Sequence, residues 1–62
     1  MTKEITEELK DVIKRAATLL TGALRRRYQA EMTQKFLGGN SRQAERVFGW
    51  ARETVETGLD EL

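Results

Sequence analysis

Ile5, Leu9, Val12, Ile13, Ala16 and Leu20 recur at intervals of three and four and form a single apolar stripe, the mark of an amphipathic helix. The stripe predicts a first helix over residues 3–20, with Thr2 as its N-cap and Glu4, Glu7 and Glu8 near the positive end of the helix dipole. Lys10, Lys14 and Arg15 fall on its polar side or flank. Thr21-Gly22 reads as a break with Thr21 capping the next helix, although one helix running through Gly22 would cost only about 1 kcal/mol relative to Ala.

Leu24, Tyr28, Met32 and Phe36 step by four and predict the buried edge of a second helix over residues 23–37, supported by an Arg27–Glu31 pair at i,i+4. Gly38-Gly39 closes it, since glycine reaches the left-handed conformation without a Cβ penalty. Asn40 with Gln43 three positions on is a capping-box pattern, opening a third helix over 41–48 that buries Ala44, Val47 and Phe48. Gly49 stops it. After Gly49-Trp50-Ala51 a fourth helix runs from Arg52 to the end, with Val55, Gly58, Leu59 and Leu62 on one face. The expected fold is all-α: one small four-helix domain over residues 1–62, with two framework helices in 1–37 and a helix-turn-helix in 40–62.

Composition fits that class. With 39% hydrophobic and 34% charged residues and no Pro, the 62-residue chain is a soluble helical type and not a disordered one. A chain this short buries only about 60% of its unfolded surface, so its core is thin and self-association as a homodimer is expected. The absence of Cys and His removes disulfides and the usual zinc ligands. No metal site or cofactor is expected. The carboxylates lie on exposed helix faces with no source for a raised pKa, and Ser41 is the only Ser, so the chain is not expected to be an enzyme or to take a small-molecule substrate. The N-terminal sequence is acidic and lacks a signal-peptide core, and the least polar stretch, 16–24, is far short of a membrane span. A cytoplasmic protein without membrane contact is the expectation. The end of the chain inside an uncapped helix suggests a piece of a longer protein.

The argument for function rests on residues 40–62. A short amphipathic helix, a three-residue turn opening on Gly, an apolar residue that plugs the angle between the helices, and an apolar residue near the fourth position of the second helix are the parts of a helix-turn-helix. Asn40, Ala44, Phe48, Gly49, Trp50 and Val55 supply them. The run from Leu37-Gly38-Gly39-Asn40 through Gly49-Trp50-Ala51-Arg52 and Thr54-Val55 to Leu62 resembles the Fis-type helix-turn-helix. That family has Gly-Asn before the first helix, an Ala-rich first helix, a Gly-Ile-Ser/Asn-Arg turn, then Thr-Leu/Val and a closing Leu. It is also similar to the N-terminal DNA-binding segment of insertion-sequence DDE transposases, where a Gly-Trp-Ser/Asn-Arg turn follows a Leu-Gly-x-Gly stretch. The likeness covers about the last 26 residues, and Ala51 stands where the family has Ser or Asn.

The resemblance implies sequence-specific binding of double-stranded DNA, with the fourth helix in the major groove. Arg52, Glu53, Glu56 and Thr57 are then the groove-facing candidates, and Arg42, Arg46 and Arg26 the anchors. Charge complicates the assignment. Residues 1–40 carry eight basic and five acidic side chains, residues 41–62 three basic and five acidic, so the net +1 hides an acidic C-terminal part. A helix among phosphates is not expected to be acidic, although a carboxylate can accept from cytosine N4. The alternative is a helical protein-interaction module that keeps the fold without binding DNA.

Overall fold

A computed structural model describes residues 5–62 and contains α1 (Glu7–Thr18), α2 (Gly22–Leu37), α3 (Ser41–Phe48) and α4 (Arg52–Glu61), with no strand among the described residues. The Cα radius of gyration is 10.5 Å, against about 10.6 Å for a compact chain of this length, so the four helices fold onto one another. The all-α four-helix domain expected from the pattern is the observed one.

The first helix is shorter than its stripe. Ile5 and Thr6 are not helical, and the Thr6 hydroxyl accepts from the Leu9 N–H at 3.1 Å, so Thr6 is the N-cap. The cap expected at Thr2 lies outside the described residues. At the other end the helix stops at Thr18, and Leu20 packs from the loop. Ile13 and Ala17 are the buried positions of α1, whereas Val12 is 63% exposed, because neighbours cover only one side of the helix.

Helix α2 lies centrally and makes its most extensive contact with α4. Its expected edge is only partly correct. Tyr28, Met32 and Phe36 pack against the core, but Leu24 is 67% exposed, and the deepest residues are Gln29, Ala30 and Thr33. Close approach explains the substitution of small and polar groups for large ones. A Cβ placed on Gly58 of α4 would lie 2.6 Å from the Arg26 carbonyl oxygen and 2.9 Å from the Ala30 Cβ. Large side chains have no room there. Thr33 satisfies its hydroxyl on the Gln29 carbonyl at 2.8 Å, and the Tyr28 hydroxyl donates to the Ile13 carbonyl at 3.3 Å, tying α2 to α1. Thr21 occupies the N-cap of α2 without a side-chain cap bond, which corrects the expected capping role.

The second half follows the sequence closely. Asn40 Oδ1 accepts from the Gln43 N–H at 3.1 Å, and the Asn40 N–H donates to the Leu37 carbonyl at 3.2 Å, so the capping box forms on one side only. Gly49, at φ 75°, ends α3 in a conformation that disfavours a Cβ. Trp50 then turns inward. It stacks on Phe48 at 4.5 Å and meets Tyr28 edge-on at 6.4 Å, a geometry typical of favourable aromatic pairs. Ala44, Phe48, Trp50 and Val55 join Ile13 and Ala17 in one core.

Ala51 is the N-cap of α4 and has no side-chain acceptor to offer. Ala51→Ser is expected to stabilise the domain by about 0.5–2 kcal/mol, roughly 4–8 °C in Tm per kcal/mol for a domain of this size. A thermal melt that falls below the parent would mean that position 51 does not cap a helix, because Ser inside a helix is less favourable than Ala.

Candidate nucleic-acid interface

The three-residue turn fixes how α4 stands on α3, and Val55 fixes its rotation. Val55 and Gly58 are buried, so the outward face lies about 180° away and carries Glu53, Thr57 and Asp60. Thr57 and Glu53 are exposed there as candidates for a groove contact. Asp60 shares that face and was not among the residues singled out from sequence.

The other candidates are separated by the side of α4 they occupy. On the α3 side, the Glu56 carboxylate accepts from the Ser41 hydroxyl at 2.8 Å, and Arg52 Nε lies 3.4 Å from Glu45 Oε1. On the α2 side, Arg26 holds Glu61 with both nitrogens, Nε at 2.7 Å and Nη2 at 3.0 Å. That pair keeps the Arg26 guanidinium above and the Glu61 carboxyl below their ordinary pKa values, mainly through the side-chain hydrogen bond. Two of the four carboxylates on α4 therefore have internal partners, while Glu53 and Asp60 form no ion pair among the described residues. Arg26 is turned to the α2–α4 seam and does not join the α3 arginines.

Arg42 and Arg46 stand exposed on successive turns of α3 and form no ion pair among the described residues. Arg46 also lines a cleft of about 840 Å³ with Lys10 and Lys35, over a floor that includes Phe36 and Val47. Lys10 and Lys35 were not singled out from sequence. No spacing rule links residues of three different helices, so only the fold could bring them to Arg46. The expected pairing of Arg27 with Glu31 is present at 3.1 Å.

Other chemistry has little footing in the fold. Among the described residues no group of three or more acidic, His or Cys side chains could hold a metal ion, and no helix is long and apolar enough to cross a membrane. Comparison with protein-family models, curated proteins and solved structures gives no match.

Proposed function

We propose that the chain is a DNA-binding helix-turn-helix module, of the kind that begins insertion-sequence DDE transposases, acting in the cytoplasm and without catalytic activity of its own. One observation carries the reading: α3 and α4 are joined by a three-residue turn with a left-handed Gly49, an inward Trp50 and a buried Val55. Each part restrains the angle between the helices that such modules need in order to present the second one to a groove. In this reading α4 enters the major groove, Arg52 contacts a base or phosphate at its first turn, and Arg42 and Arg46 meet the backbone. The internal partners of Glu56 and Glu61 lower the repulsion that the sequence alone predicts.

The comparison of two arginines tests the orientation. Arg52→Ala is expected to weaken duplex binding by about 1–3 kcal/mol, while Arg15→Ala, on α1, changes it little. Equal losses measured by fluorescence anisotropy would remove α4 from the reading role. A homodimer belongs to the same proposal, because Val12, Leu19 and Leu24 leave apolar surface exposed on a small domain. Sedimentation equilibrium is expected to show a species heavier than the 7.1 kDa chain; a clean monomer at high concentration would contradict it.

The outward face of Glu53, Thr57 and Asp60 favours a second reading, a protein-interaction module facing a basic partner. It predicts a folded chain with no affinity for duplex DNA even at low salt.

A further inference from the structure

Two helices begin at the same cleft, and neither start is capped by a side chain. The cleft, of about 300 Å³, is lined by Gly22, Arg25 and Gln29 of α2 and by Trp50, Ala51 and Thr54 at the start of α4. Thr21 and Ala51, the two N-cap residues, make no side-chain cap bond. The first i→i−4 bonds of these helices are Arg25 to Thr21 and Val55 to Ala51. The N–H groups of Gly22, Ala23 and Leu24, and of Arg52, Glu53 and Thr54, therefore have no acceptor among the described residues. Unsatisfied N–H groups and the positive end of the dipole make a helix start attractive to anions.

A second observation at the same place points to a ligand. Gln29 is only 3% exposed, lines this cleft, and its Oε1 has no hydrogen-bond partner. A buried polar atom left alone is costly. Rotation about χ3, a broad and roughly two-fold torsion, exchanges Oε1 for Nε2 and turns that acceptor into a donor. Arg25 adds an exposed guanidinium that forms no ion pair among the described residues, and Thr54 adds a hydroxyl. The nearest carboxylates do not fill the cleft: Glu61 is bound to Arg26, and Glu53 lies on the outward face of α4, about 200° around the helix from Val55.

We propose that the cleft between the starts of α2 and α4 is a phosphate site, in which backbone N–H groups, Arg25, Thr54 and the Gln29 carboxamide bind a phosphate-class oxyanion. The oxyanion is either a phosphate of a DNA backbone or a free phosphate, and the site itself does not depend on the DNA reading.

The test is an amide-detected NMR titration of the full chain with inorganic phosphate at constant ionic strength. Saturating shifts are expected at Gly22, Glu53, Thr54 and the Gln29 side-chain amide, in the roughly millimolar range. Absence of saturation, or shifts confined to Lys10, Lys35 and Arg46, overturns the proposal. Ala51→Asp supplies the missing cap, so its Tm is expected to rise while phosphate binding weakens about tenfold. Unchanged phosphate affinity in that folded variant also overturns it. Arg25→Ala, an exposed change that spares the core, is expected to weaken binding several-fold, and an unchanged affinity again counts against the site. Addition of unlabelled duplex to the phosphate-saturated protein separates the sources. Displacement of phosphate assigns the DNA backbone, and retention beside bound duplex assigns a free phosphate. If no duplex binds at all, the phosphate shifts persist and only the DNA reading fails.

Discussion

Phe48→Ala is expected to remove about 3–5 kcal/mol from the folding free energy, the usual cost of emptying a large aromatic site. Phe48 is 1% exposed and stacks on Trp50, so the change opens a cavity at the point where α3, the turn and α4 meet. A domain of 62 residues has about 3–9 kcal/mol in all. The variant should therefore be largely unfolded at 37 °C. Circular dichroism reads the loss of helix, and the single Trp reports the local event, since its emission shifts to the red as it leaves the core. A variant that stays folded, with a loss below about 1 kcal/mol, would place Phe48 at the edge of the core and not at its centre.

The second large effect falls on a residue with no side chain. Gly58→Ala adds only a methyl and improves helix propensity by about 1 kcal/mol. In a solvent-facing helix it would stabilise. Here the new Cβ would meet the Arg26 carbonyl oxygen at 2.6 Å, closer than real contacts allow, with the Ala30 Cβ at 2.9 Å. The backbone of α2 and the Ala30 side chain cannot swing away as a long flexible chain would, so α2 and α4 must separate. That seam is the most extensive helix contact in the domain. Overpacking of this kind costs about 1–3 kcal/mol and outweighs the gain in propensity. A melt with a Tm above the parent would show that α2 and α4 do not approach so closely, because only then does the propensity term win.

Residues 38–62 were legible from sequence because their signals are local. Asn40, Gly49 and Ala51 define caps and stops within three or four residues, and α3 and α4 begin where those residues predict. Gly58 was placed on the buried face by periodicity alone. Its role was not readable, since a close approach depends on what stands opposite, and Arg26 and Ala30 lie on another helix. The same limit explains Leu24 and Val12. Both have the spacing of core residues, yet the number of neighbours around α1 and α2 decides which flank of a stripe is covered. Thr6 rather than Thr2 caps α1 for a related reason: both precede a glutamate, and the half-buried Ile5 packs against the core from outside the helix.

At the candidate interface, residue types were legible and partners were not. The acidity of α4 was plain from Glu53, Glu56, Asp60 and Glu61. The cross-helix bonds from Ser41 to Glu56 and from Arg26 to Glu61 span 15 and 35 residues, and no sequence periodicity reports them. They take Arg26 out of the set of anchors and leave Arg42, Arg46 and Arg52 as the cations next to the outward face of α4.

The most direct measurement is the anisotropy of a labelled random-sequence duplex titrated with the full chain at two salt concentrations. Three phosphate contacts, one for each of those arginines, predict saturable binding at low salt that weakens about 40-fold between roughly 50 and 200 mM. A flat titration at micromolar protein in tens of millimolar salt, with the chain folded, would contradict the DNA-binding account and leave the acidic face of α4 as the surface to pursue.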